Sequence, residues 1–236
     1  MEWSTKSATS AYLDALKLCG KCKKECSSCP AQIPESNEFI SALAAGMSAK
    51  LIVEVTSDVS PSTVALAAAA RHTGGKLVCI IPEPKLDKSQ KAIDDSGLHD
   101  LVEFKTGNPV DVLHDYENID FSLVDCKADN YGRLLEKLDV NPRRSVVVAN
   151  NLLGGGKGLG GHLRRVENKT EVRSMKHPIG SGMEITMIGK SNDFGNNERS
   201  TERKRRIMKR GDKSKWVFEV DEKSGEEHIF RMPRSQ

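Results

Sequence analysis

Four cysteines fall within one short stretch, Cys19, Cys22, Cys26 and Cys29 in CGKCKKECSSC. Two C-x2-C pairs are a spacing with which thiolates close on a zinc ion or an iron–sulfur cluster. Only three residues separate the pairs, where zinc ribbons place about 15–20. The competing reading is a lysine-rich connector between two helices that carries reduced thiols. Cys79 and Cys126 sit inside apolar strand patterns and read as core. A second group is polar: Glu54, Asp125, Asn150 and Asn151 each stand at the end of an apolar run. An Asp beside two Asn offers oxygen ligands to a hard divalent cation or hydrogen bonds to a ribose. The plainer alternative is that such residues cap the helices that follow. Gly156–Gly161 (GKGLGG) formally fits G-x-G-x-x-G but follows the fifth strand and not the first, so it reads as a flap, with Lys157 available to an anionic substrate. The six histidines show no metal or triad spacing and receive no catalytic role.

The elements that must position these residues follow a rhythm. An amphipathic helix is predicted over 7–18, and a second over 37–46 with Ser36 as its cap. Strands are predicted at 50–55, 76–81, 101–105, 120–125 and 144–149, with helices at 62–72, 87–96, 109–115 and 130–138 between them. Strands that are apolar throughout and alternate with helices mean a parallel sheet covered on both faces, a doubly wound α/β domain. The runs 171–176 and 183–188 are joined by six residues, HPIGSG, too few for a crossover helix, so they close the sheet as an antiparallel hairpin. Residues 190–215 read as a basic, disordered linker, and KWVFEV and HIFRM flank a Gly225 turn as a terminal hairpin. The domain boundaries expected are 1–36, 37–189, 190–215 and 216–236. In open α/β sheets ligands bind outside the carboxyl ends of the strands. Glu54, Asp125, Asn150 and Asn151 are therefore expected to converge on one crevice.

The 236 residues, 37% hydrophobic and 29% charged, can bury a sizeable core, which excludes collagen-like, coiled-coil and wholly disordered classes. No apolar run approaches the roughly 18–20 residues of a membrane span, and the first residues lack the apolar core of a signal peptide, so a soluble protein of cytoplasm or nucleus is expected. Residues 198–215 hold nine Lys/Arg against three Asp/Glu, a surplus of +6 within a total of +3, which leaves the rest at −3. Affinity for nucleic acid or an acidic protein would thus sit in that segment. Its RKRRIMKR run (203–210) reads either as a nuclear localisation signal or as a solvated linker.

Three stretches carry a resemblance: EFISALAAGMSAKLIVEV at 38–55, DFSLVDCKADNY at 120–131 and HPIGSGMEIT at 177–186. They are similar to the S-adenosylmethionine-dependent O-methyltransferases of the caffeoyl-coenzyme A and catechol type, over about 37–189. The whole chain, including WVFEVDEKSGEEHIFRM at 216–232, resembles a plant domain-of-unknown-function family of methyltransferase-like proteins. The resemblance implies a seven-stranded class I methyltransferase sheet and S-adenosylmethionine as cofactor. Glu54 and Ser62 match cofactor positions, while the two turn glycines of the family fall on Thr56 and Ser60. The ribose-gripping acid falls on Ile81, with Glu83 as its substitute. Asp125 matches the cofactor- and metal-binding acid, Lys127 replaces a second acid, and the Asp-Asn metal pair becomes Asn150-Asn151. One anionic ligand where the family has two implies a weak divalent-cation site.

Two functions follow as expectations. One is methyl transfer to a small oxygen or nitrogen nucleophile, which asks mainly for in-line positioning. The other is a binding or regulatory module that retains the fold without the chemistry and works through its basic segment and terminal hairpin. A metal or redox sensor built on the four N-terminal cysteines is a third.

Overall fold

The computed structural model describes residues 3–24, 36–126, 131–152, 158–159, 170–190, 215–220 and 227–232. The chain divides into two compact units, Met1–Phe194 and Gly195–Gln236.

In the first unit five strands pair in parallel: β1 (Leu51–Val55), β2 (Lys76–Ile81), β3 (Val102–Thr106), β4 (Phe121–Asp125) and β5 (Arg144–Asn150). β6 (Thr170–His177) and β7 (Met183–Lys190) are antiparallel, and β7 inserts between β5 and β6, giving the order β3-β2-β1-β4-β5-β7-β6. The chain runs outward from β1 to β3 and then returns to place β4 on the other side of β1. The switch point therefore lies between β1 and β4, where open α/β sheets gather their ligands. The HPIGSG turn makes its reversal with Gly180 and Gly182 at φ of 61° and 85°, backbone that side chains disfavour.

One face of the sheet is covered by α3 (Pro61–Thr73). Its Ser62–Ala70 run is buried on every side, because small alanines let the helix lie between the sheet and two outer helices, α1 (Thr5–Lys24) and α2 (Ser36–Gly46). α4 (Leu86–Asp95) contributes Ile93 to the same core. The opposite face packs Val53, Val78, Val124 and Val147 with Leu134 and Leu135 of α6 (Tyr131–Lys137), beside Val110 and Val112 of the short α5 (Pro109–Val112).

Two expectations are corrected. The connector predicted from Cys19 onward is helix: α1 continues through Cys19 and Cys22 to Lys24. Ala8, Ala11, Ala15 and Cys19 form one buried stripe at helical spacing, and the thiol of Cys19 bonds the Pro61 carbonyl at 3.4 Å. Packing on α3 thus carries the helix past the point where its composition turns polar. Cys26 and Cys29 lie outside the described residues, so the four-thiol reading is not placed by the structure. The boundary at residue 36 also gives way, because α1 packs on α2 and α3: Ser41 Oγ donates to the Ala11 carbonyl, and His72 Nε2 meets Asp14 Oδ2 at 2.6 Å. No helix among the described residues is long and apolar enough to cross a membrane.

The second unit holds β8 (Lys215–Val220) and β9 (Glu227–Met232), antiparallel with Trp216 opposite Arg231 and Phe218 opposite Ile229. The linker predicted over 190–215 and the run 203–210 fall outside the described residues, apart from the strand ends.

Candidate functional site

Beyond the carboxyl ends of β1, β4 and β5 opens a cleft of about 450 Å³, lined by Glu54, Asp58, Ser62, Asp125, Asn150 and Asn151 among others. Parallel strands deliver their last residues to one edge, and α2 and α3 supply the near wall through Asn37 and Ser60–Ser62.

Glu54 is the deepest of these groups, 1% exposed. It sits on β1 in register with Cys79 of β2, and its side chain is held from two directions. Ser62 Oγ donates to Oε1 at 2.6 Å, and Cys79 Sγ lies 3.7 Å from Oε2. Ser62 is delivered by the start of α3. Ser60 caps the helix through a reciprocal bond with Thr63, Pro61 takes the first helical position, and Ser60 and Ser62 hydroxyls meet at 2.8 Å. This arrangement explains the sequence TSDVSPS: the proline starts a helix in the first turn, where its missing N–H costs nothing. Burial pushes the Glu54 carboxyl above its ordinary 4.5, with Asp125 adding to the rise, against the Ser62, Thr63 and Cys79 donors that lower it. Burial, then the charge of Glu54, likewise pushes the Cys79 thiol well up.

Asp125 ends β4 opposite Asn150. Asn151 follows with a left-handed backbone, φ 59°, a conformation Asn tolerates better than most residues. Its Nδ2 donates to Asp125 Oδ1 at 2.8 Å. Next along, the Cys126 thiol is pushed up to about 12 by burial and by the charges of Asp125 and Glu184.

The convergence of Glu54, Asp125, Asn150 and Asn151 matches the arrangement expected from the strand ends, and Ser62, matched only through the resemblance, lines the same cleft. Glu83 does not join them: it opens the 3-10 turn Glu83–Lys85 after β2, is exposed, and is absent from the cleft lining. Lys127 lies outside the described residues. Asp58 is a lining residue that spacing did not single out. Its only signal was a carboxylate in the turn directly after β1.

As arranged here, Asp125 and Asn151 do not jointly present oxygen to a divalent cation. A hard ion shared by Asp125 and Asn151 needs carbonyl oxygen from the amide, yet the amide N–H faces the carboxylate. Among the described residues no group of three or more His, Cys, Asp or Glu is placed to hold a metal. The cleft's volume of about 450 Å³ lies in the range of small-molecule sites, about 300–1,000 Å³.

Several solved structures share this fold, and the three that follow are methyltransferases by name. A methyltransferase from Geobacter sulfurreducens is 20% identical with a TM-score of 0.55, over 73% of this chain and 88% of its own. A putative caffeoyl-CoA O-methyltransferase from Staphylococcus aureus is 14% identical with a TM-score of 0.55, over 72% and 90%. The S-adenosylhomocysteine-bound methyltransferase of Podospora anserina is 16% identical with a TM-score of 0.54, over 77% and 88%. At these identities the likeness is one of fold. No curated protein matches the chain. A family profile described as "Protein of unknown function (DUF1442)" matches residues 1–232, and it is to this family that the chain belongs.

Proposed function

We propose that this protein binds S-adenosylmethionine in the switch-point cleft and transfers its methyl group to a small oxygen or nitrogen nucleophile. The observation that carries the reading is the lining itself. Glu54, Asp58 and Asp125 bring three carboxyl groups to the cleft, and among the described residues only Asp58 is paired with a lysine there, Lys85 of the turn after β2. Such a surface favours a cationic ligand rich in hydroxyl and amine donors, and it disfavours one that carries phosphates. When bound, the cofactor supplies an electrophilic methyl group on a sulfonium. The chain supplies position: Ser62 fixes Glu54, Asn151 fixes Asp125, and Asn150 presents an amide at the same edge. Holding donor and nucleophile in line is the main demand of methyl transfer.

Thermal unfolding tests the reading. Ligand at 100 times its Kd adds about 2.7 kcal/mol, and each kcal/mol shifts Tm by about 2–4 °C at this size. Stabilisation by S-adenosylmethionine that ATP does not reproduce and that Asp125→Ala removes is the expected result. Absence of any shift at millimolar S-adenosylmethionine sinks the reading.

One observation favours a second reading, a binding module without turnover. The turn after β1 carries Thr56 and Ser60 at the two positions where the resemblance calls for glycine and close backbone approach. In that reading the basic segment 198–215 and the terminal hairpin contact an acidic protein or nucleic acid. Methyl incorporation from labelled S-adenosylmethionine into small phenols or amines separates the two.

A further inference from the structure

The sheet of the second unit has two strands, and among the described residues β8 has a neighbour on one side only, β9. A lone hairpin is marginal in water and needs further strands or a surface to pack on. A strand with one unpaired edge is also a template for another strand. Register sorts the hairpin by face: Trp216, Phe218 and Ile229 share one, and Val217, Phe230 and Met232 share the other. Apolar positions thus stand on both faces, and the free edge of β8 runs between them.

We propose that β8 is a dimerisation strand, pairing antiparallel with β8 of a second copy about a two-fold axis at Val217. The strand reads Lys-Trp-Val-Phe-Glu over 215–219, and run in reverse it complements itself. With Val217 opposite its own copy, Trp216 stands opposite Phe218 of the second copy and Lys215 opposite Glu219 of the second copy. The axis makes each of these pairs occur twice. Directly opposed residues of an antiparallel pair share a face, so this symmetry restricts the register to pairings of like face. Centring on Trp216 sets Lys215 against Val217, and centring on Phe218 sets Glu219 against Val217. The Val217 centre alone matches charge with opposite charge and aromatic with aromatic, the pairs that stabilise neighbouring strands. Read the same way, β9 centres on Ile229 with Glu227 opposite Arg231, but it sets His228 against Phe230. Three of its six residues are ionisable, against two of six in β8, and charge is how sheets protect an outer edge. The resulting four strands run β9-β8-β8-β9. Since Val217 pairs with Phe230 inside each hairpin, one apolar row then crosses the whole sheet. This inference is independent of the reading of the cleft.

Sedimentation equilibrium of the full chain tests this with Lys215→Glu, Glu219→Lys, the double variant and a mixture of the two single variants. The wild type is expected to be a reversible dimer. Each single variant sets like charges opposite each other twice, and its dimer should be about 10–100-fold weaker. In the mixture every altered position faces the opposite charge on the other copy, so a heterodimer of wild-type affinity is expected. The double variant restores both pairs within one homodimer and should behave likewise. A substitution that merely damaged the hairpin would not be rescued by mixing. A wild type that stays monomeric at millimolar concentration overturns the inference, as does a dimer that both single variants leave unchanged. Single variants that weaken the dimer while their mixture stays weak overturn the register. The same loss and rescue obtained with Glu227→Arg and Arg231→Glu instead would put the axis on β9 and overturn the assignment to β8.

Discussion

Ser62 and Glu54 are eight residues apart, and the hydroxyl of one donates to the carboxylate of the other at 2.6 Å inside the protein. The bond ties the first turn of α3 to the end of β1, and so sets the wall of the cleft against its floor. Ser62→Ala leaves a buried carboxyl short of a donor, which costs about 1–3 kcal/mol. Chemical denaturation should show the midpoint falling with an unchanged slope.

The same carboxyl gives stability a pH dependence. Its folded value is raised by burial above 4.5, so the folded protein holds this proton more tightly than the unfolded chain does. The contribution is complete below about 4.5 and is lost as pH rises through the folded value. Glu54→Gln keeps an acceptor for Ser62 and carries no charge. It should flatten the decline of Tm above about pH 4.5, and an unchanged profile would assign the decline to other groups.

Asn151 combines a left-handed backbone with a hydrogen bond to Asp125. Asn151→Gly keeps the first and loses the second, whereas Asn151→Ala loses both. The alanine variant should be the less stable by about 1–2 kcal/mol, the cost of a left-handed conformation for a side-chain-bearing residue. Equal melting temperatures would show that the backbone strain is relieved elsewhere.

Asn151→Asp faces Asp125 with a second carboxylate at the position of a 2.8 Å hydrogen bond. Two carboxyl groups at that separation either share a proton or take a cation between them. The variant should lose stability in chelator and regain it with magnesium or calcium, while the wild-type melting curve stays the same in both. Wild-type sensitivity to chelator would contradict the donor-set argument.

Trp3 lies over Gly46, where the α-carbon of α2 has no room for a methyl group against the ring. The Ser4 N–H donates to the Gly46 carbonyl at 2.8 Å beside it. Gly46→Ala has to push the half-exposed Trp3 ring aside, so the loss should be at the low end of overpacking, about 1 kcal/mol. Adding Trp3→Ala should recover part of that loss, so the double mutant is more stable than the sum of the singles. Strict additivity would mean that the ring does not close on this site.

Local patterning of the chain determined the alternation of apolar strands with helices, the parallel sheet and its antiparallel end. It also determined that Glu54, Asp125, Asn150 and Asn151 share one edge, because parallel strands with short connections must all end there. Contacts between distant residues decided the rest. The length of α1 depends on Cys19 packing against α3, which composition near the cysteines does not report. The Asp58–Lys85 bridge spans 27 residues and exists only because β1 and β2 are neighbours. That adjacency also favours Asp58 over Glu83 as the carboxylate at the cleft. Glu184 is a buried carboxylate in a stretch noted for its resemblance. It shares the strand face of Thr186 and Ile188, whereas Glu54 alternates with Val53 and Val55 and faces the core of α3. A period of two tells which residues share a face but not which face borders the cleft. That assignment follows from where the helices pack, and it is made by the folded chain as a whole.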